Sequence, residues 1–69
     1  MDDLISNRIK ELRKENGLSQ IELAELCQVK QSCISKWERG ATLPDIDMVI
    51  TLTKVLHTSS DYLLGIKDY

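Results

Sequence analysis

The chain has 69 residues, 42% of them hydrophobic and 29% charged, and a formal net charge of −2. This length supports one small core, so we expect residues 1–69 to form a single domain. The apolar runs are too short to span a membrane and no signal peptide is apparent, which predicts a cytoplasmic protein. The weakly acidic total disfavours nucleic acid as a partner, unless the charges are unevenly distributed.

The basic residues do gather in two segments. Four lie between Arg8 and Lys14, and three lie between Lys30 and Arg39, where Glu38 is the only acid. Most of the other acids lie outside these two segments. The distribution therefore predicts a molecule with one basic face.

Apolar spacing and end signals predict the first two helices. Ile5, Ile9 and Leu12 recur at i, i+4 and i+7, which indicates a helix from about residue 4 to Glu15, ended by Asn16 and Gly17. Ser19 with Glu22 three residues later is a capping box. It predicts a second helix that ends near Cys27.

A third helix is expected from about Lys30 to Arg39, stopped by Gly40. Ala24 is small enough to let the second and third helices cross closely, and Ile34 and Trp37 can pack with the second helix in one core. The face that remains is polar. It consists of Lys30, Gln31, Ser32, Ser35, Lys36 and Arg39, with Glu38 as the only acid.

Two further helices follow a connecting loop that ends at Pro44. Asp45 can cap a fourth helix that runs through Leu56, and Ser59 or Ser60 can cap a short fifth helix over residues 61–64 that stops at Gly65. The predicted apolar face of the fourth helix comprises Ile46, Val49, Ile50, Leu52, Thr53 and Leu56. No segment shows the alternation of a strand, so the predicted fold class is all-α.

These segments resemble the Cro/CI-type helix-turn-helix domain of the XRE family, the fold of lambdoid phage repressors. The resemblance extends from Asn7 to Gly65. It rests on RIKELRKENGLSQ at 8–20, ELA at 22–24, ISKWERG at 34–40, Pro44, and DYLLG at 61–65. It implies a compact five-helix, lambda repressor-like bundle in which helices 2 and 3 form the helix-turn-helix.

The resemblance also implies a function: sequence-specific binding of a double-stranded DNA operator by a transcriptional regulator, most simply a repressor. Helix 3 would lie in the major groove. The implied base contacts are Gln31, Ser32 and Lys36, with Lys30 and Ser35 beside them. The implied contacts to the DNA backbone are Gln20, Arg39, Thr42 and Arg8. Arg13 and Glu38 occupy the positions of the family's structural ion pair between the first and third helices.

One recognition helix reads only a few base pairs, which predicts a homodimer on two half-sites. Its contacts are expected in the C-terminal region, at Tyr62, Leu64, Ile66 and Tyr69. No cofactor, metal, membrane or small-molecule ligand is expected, and no nucleophile has an adjacent base, so an enzyme is not predicted.

Some positions depart from the family pattern. Gln28 stands where the turn usually has glycine and must adopt a positive φ unless the turn is rebuilt. Lys30 replaces the usual serine or threonine cap, and His57 stands where glycine often follows the fourth helix. Ala41 and Thr42 lie where the family commonly has basic residues.

Alternative interpretations stay open for several residues. The basic face of helix 3 could be no more than a solvated surface, and Ile21 and Leu26 could mark a protein contact. The alternative function is thus a protein-interaction module of the same fold, antitoxin-like or regulator-binding. The spacing of Cys27 and Cys33 does not suit a zinc site. In a cytoplasmic protein they are expected to be inert reduced thiols.

Overall fold

Five helices follow one another over residues 4–68, the part of the chain that the computed structural model describes. They are α1 (Leu4–Glu15), α2 (Gln20–Cys27), α3 (Gln31–Arg39), α4 (Ile46–Val55) and α5 (Ser60–Leu63). This described part contains no strand, and each helix lies within one residue of its predicted ends. None of these helices is long and apolar enough to cross a membrane.

Side-chain caps define where three helices begin. Ser19 Oγ accepts a hydrogen bond from the Glu22 N–H at 3.0 Å, and Glu22 Oε1 accepts one from the Ser19 N–H at 2.8 Å, so the predicted capping box is present. Asp45 caps α4 by accepting from the Met48 N–H, and Ser59 caps α5 by accepting from the Tyr62 N–H. Each cap stabilises its helix by about 1 kcal/mol, which explains why local sequence predicts these ends well.

The turn between α2 and α3 is formed by Gln28 in the left-handed conformation. Its φ is 60° and its ψ is 42°, and its N–H donates to the last turn of α2. The N–H of Val29 donates to the Ala24 carbonyl at 3.0 Å, which completes a glycine-type helix end around a glutamine. His57, after α4, has a similar φ of 57°. Gln28 and His57 therefore both adopt the positive φ that glycine usually provides at these positions, and neither turn is rebuilt.

The core lies where the helices meet. It is formed by side chains from every helix; α2 packs against α3, and Ala24 of α2 is buried. Its buried hydrophobic residues are Ile9, Leu23, Ala24, Cys27, Ile34, Trp37, Val49, Leu52, Leu56 and Leu63. Burial of Ile34 and Trp37 on one side of α3 fixes which side remains exposed.

The predicted apolar face of α4 is too broad. Val49, Leu52 and Leu56 are buried, but Ile46 is 68% and Ile50 47% exposed. The reason is that α4 packs on α2 and α5, which together cover only one stripe of its surface. Ile46 and Ile50 lie beside that stripe and remain exposed, although their spacing in the sequence predicts burial.

The turn residue provides a test of the left-handed conformation. We expect Gln28→Gly to raise the free energy of unfolding by about 0.5 to 1 kcal/mol, because glycine adopts a positive φ without the steric cost of a side chain. Thermal unfolding of both proteins measures the change. Lys10→Gly, in the exposed middle of α1, is the control and should destabilise by about 1 kcal/mol. A lower melting temperature for Gln28→Gly would contradict the role of this φ.

Candidate nucleic-acid interface

The side of α3 opposite the core is polar and accessible. Gln31, Ser32 and Lys36 are exposed, and Ser35 is half-buried beside them. These positions fall within the first two turns of α3, on the side away from Ile34 and Trp37. The structure therefore brings the predicted base-contact residues together on one surface.

Lys30 precedes this surface as the N-cap residue of α3. Its backbone is extended, with φ −77° and ψ 151°, and its side chain makes no capping hydrogen bond. The positive end of the helix dipole thus lies next to a lysine, which is unfavourable in isolation and favourable for an anion. A phosphate is the kind of group that this end of α3 would attract.

A buried ion pair joins α1 to α3. Arg13 Nε donates to Glu38 Oε2 at 2.6 Å and Arg13 Nη2 donates to Glu38 Oε1 at 3.1 Å, a two-point contact. The two side chains are 11% and 4% exposed. Arg13 Nη1 also donates to the Leu18 carbonyl at 2.9 Å, so the same guanidinium holds the segment that leads into α2.

Gln20 connects this ion pair to the exposed surface. Its Nε2 donates to Glu38 Oε1 at 3.0 Å, and its Oε1 accepts from Gln31 Nε2 at 3.1 Å. The resemblance implies that Gln20 contacts the DNA backbone and gives no indication of these two hydrogen bonds. The available signal was positional: Gln20 and Gln31 are the first residues of α2 and α3, and Glu38 lies two helical turns after Gln31.

Arg39 and Thr42 lie near the other end of α3. Both are exposed, and the Thr42 N–H donates to the Lys36 carbonyl at 3.5 Å, which places it over the last turn of the helix. Gly40, with φ 75°, directs the chain back at this point. The predicted backbone contacts therefore fall at both ends of the polar face: Gln20 at the start, and Arg39 and Thr42 at the finish.

Arg8 lies apart from this group. Its guanidinium donates to the carbonyl oxygens of Tyr62 and Lys67, stacks 4.0 Å above the Tyr62 ring, and lies 3.8 Å from an Asp68 carboxylate oxygen. These contacts fasten the C-terminal segment to α1. None of these contacts is with α3, and a contact of Arg8 with DNA stays a prediction.

The residues predicted for a dimer contact differ in accessibility. Leu64 and Ile66 are exposed, whereas Tyr62 is half-buried beneath Arg8. Tyr69 lies outside the described residues. Leu43, with the exposed Ile46 and Ile50, adds apolar surface near the start of α4 that sequence reasoning did not find.

The two cysteines differ in burial. Cys27 is buried, and burial raises the pKa of its thiol, which keeps it protonated near neutral pH. Cys33 is half-buried on α3. Among residues 4–68 no three histidine, cysteine or acidic side chains are grouped so that they could hold a metal ion.

In this chain α2 and α3 are joined by a tight turn. The ion pair with Arg13 fixes α3 to α1, and the exposed side of α3 is polar. This arrangement defines a helix-turn-helix domain. A family profile described as Helix-turn-helix matches residues 9–63. The chain belongs to this family, in its XRE, Cro/CI-type branch. The predicted family and the lambda repressor-like fold are confirmed.

Curated relatives include regulators from bacteria and phages. The HTH-type transcriptional regulator ImmR of Bacillus subtilis (strain 168) is 36% identical over 61 residues, which cover 88% of this chain and 48% of ImmR. Repressor protein C2 of Salmonella phage P22 is 38% identical over 61 residues, covering 88% of this chain and 28% of the repressor. The chain thus spans about half, or less, of the length of these relatives.

Similar solved structures include two protein–DNA complexes. The P22 c2 repressor in complex with synthetic operator 9T superposes with a TM-score of 0.83 at 37% identity, covering 87% of this chain and 91% of the repressor chain. SinR, described as the master regulator for biofilm formation, in complex with DNA gives a TM-score of 0.81 at 41% identity, with 87% and 97% covered.

The contribution of the ion pair between α1 and α3 to the stability of the protein can be tested by mutation. We expect Arg13→Ala to lower the free energy of unfolding by about 3 kcal/mol, because the Glu38 carboxylate stays buried without its partner. Lys10→Ala removes an exposed cation from the same helix and should change stability by less than about 0.5 kcal/mol. Thermal or denaturant unfolding compares them, and equal melting temperatures would rule out a stabilising pair.

Proposed function

We propose that this chain is a sequence-specific DNA-binding transcriptional regulator that acts as a repressor, with α3 in the major groove. The observation that carries the proposal is the exposed start of α3, where Gln31, Ser32 and Lys36 project from a helix that a buried ion pair holds in place. A rigid helix with short polar and basic groups in its first turns suits the reading of base edges. The DNA complexes of the P22 c2 repressor and SinR support this reading.

The proposed base contacts follow from the chemistry of each side chain. Gln31 can bond N6 and N7 of adenine, and Lys36 can donate to O6 or N7 of guanine. Ser32 can bond either kind of base, with Lys30 and Ser35 beside it. Repression then follows from occupancy, since a regulator bound at a promoter excludes the polymerase.

The proposed backbone contacts orient α3 without reading sequence. Gln20 and Lys30 lie where the helix ends favour a phosphate, and Arg39 and Thr42 lie at the far end of the polar face. Arg8 joins them only if its guanidinium leaves the carbonyl oxygens of the C-terminal segment.

A homodimer is part of the proposal, because a single α3 reads too few base pairs to specify one operator. Two copies would place their α3 helices about 34 Å apart on one side of the duplex. The exposed Leu64 and Ile66 support a contact through the C-terminal region. The site of action of such a regulator is the bacterial cytoplasm, at the nucleoid.

Selection of bound duplexes from random DNA tests the whole proposal. We expect a palindromic consensus, since a two-fold symmetric dimer selects a symmetric site. Binding of that site should weaken steeply as the salt concentration rises, because phosphate contacts release counterions. Failure to enrich any sequence at low salt would refute DNA binding, and a single unpaired half-site would refute the dimer.

Alanine substitution on α3 tests the residue assignments. We expect Lys36→Ala and Gln31→Ala each to weaken binding of the selected site by about 1 to 3 kcal/mol and to relax the preference at one base pair. Lys54→Ala, an exposed lysine on α4, is the matched control for lost charge. Titration of labelled duplexes measures all three proteins. Unchanged affinity in both α3 variants would contradict the placement of α3 in the groove.

A second candidate function is a protein-interaction module. Its support is the outer side of α2, where Ile21 and Leu26 are exposed apolar residues, and the similarity to SinR, which has also been solved in a SinR/SinI complex. The same titration separates the two candidates. Salt-dependent binding to DNA favours the regulator, and its absence favours the interaction module.

A further inference from the structure

Two hydrogen bonds link Gln31 to Gln20 and Gln20 to Glu38, and both have a defined direction. A carboxylate only accepts hydrogen bonds, so Glu38 Oε1 must receive an N–H from the Gln20 amide, as it does at 3.0 Å. Gln20 then turns its carbonyl oxygen away from Glu38. That oxygen accepts from Gln31 Nε2 at 3.1 Å, so the Gln31 amide has its NH₂ group toward the protein.

This direction determines what Gln31 offers to an outside partner. Gln31 donates one N–H to Gln20. The Gln31 carbonyl oxygen and its second N–H remain, which are one acceptor and one donor. Adenine presents the matching pair in the major groove, a donor at N6 and an acceptor at N7. The reversed amide would offer two N–H donors instead, which match the two acceptors O6 and N7 of guanine.

Glu38 is well placed to impose this direction. Its side chain is almost fully buried, and the fork of Arg13 holds both of its oxygens, so the carboxylate can neither swing away nor exchange Gln20 for water at low cost. A neutral amide at this position could accept from Gln20 or donate to it, and the direction would be lost.

We propose that Glu38 is a positioning residue for base recognition: through Gln20 it orients the amide of Gln31 and makes Gln31 select adenine over guanine. This inference rests on the proposed DNA binding. A glutamine can in principle read adenine or guanine, and the inference assigns the choice between them to Glu38, whose side chain is buried behind the exposed surface of α3.

Glu38→Gln tests the inference with a side chain of almost the same shape. The base pair concerned is the one whose preference is lost in Gln31→Ala. At that pair we expect wild type to prefer adenine by about 5- to 150-fold, the range for a good two-point contact, and Glu38→Gln to reduce the ratio at least about fivefold. The probes are two duplexes of the selected site that differ only in that pair.

Two matched variants separate orientation from stability. Arg13→Lys loses the two-point fork but keeps the carboxylate and a cation beside it, so it should keep the adenine preference despite a lower melting temperature. Adding Gln20→Glu to Glu38→Gln restores an acceptor next to Gln31. This double variant should recover the adenine preference while it binds both duplexes more weakly, since it adds a negative charge near phosphate.

A measurement without DNA keeps the inference distinct from the proposed function. In the free protein, the side-chain NH₂ resonances of Gln20 and Gln31 should both shift in Glu38→Gln, and those of Gln31 should stay in place in Arg13→Lys. If wild type binds no duplex, the proposed function fails and these resonances still decide the orientation. If Glu38→Gln does not fold, Gln20→Leu, which leaves the ion pair intact, takes its place with the same expected loss of preference.

The inference is overturned if Glu38→Gln, or Gln20→Leu in its place, keeps the wild-type ratio. It is also overturned if Arg13→Lys loses the preference as fully as Glu38→Gln does, since stability alone would then explain the change. Unmoved Gln31 resonances in Glu38→Gln would equally refute it.

Discussion

The buried contact between Arg13 and Glu38 is the interaction on which the polar face of α3 depends. It fixes α3 against α1, and through the Leu18 carbonyl it also holds the segment before α2. Desolvating two charges is costly, and replacing such a pair by apolar residues is often neutral for stability. The pair is therefore better understood as a device for geometry: Ile34 and Trp37 fix which side of α3 is exposed, and the two-point contact at Glu38 adds a directional constraint to their packing.

Local sequence predicted most of the fold because the relevant signals are local. The capping box at Ser19 and the glycines after α1 and α3 act within a few residues of where they occur. The exposure of Ile46 and Ile50 was missed because spacing shows which residues share a side of a helix, not how much of that side its neighbours cover. That coverage is a property of the packed bundle.

The sequence names the candidate site residues but not the contacts among them. The resemblance named Gln20, Gln31 and Glu38 separately, but the contacts among them join residues 11 and 18 positions apart. Arg8 illustrates the same limit: charge counting assigned it to a basic face, whereas it binds carbonyl oxygens at the C-terminal end. Of the four basic residues in α1, only Lys10 and Lys14 are exposed, so the basic surface is narrower than the composition indicates.

The lysine before α3 has a consequence for the energy landscape of the free domain. Most of this chain is locally consistent, with caps, turns and apolar spacing that favour the same structure. Lys30 is an exception, because a cation adjoins the positive end of a helix that lacks a side-chain cap. Such local frustration usually lies where a protein meets its ligand. Under the proposed function, a phosphate at the first turn of α3 would relieve this conflict, so the order of that turn would be thermodynamically linked to DNA binding.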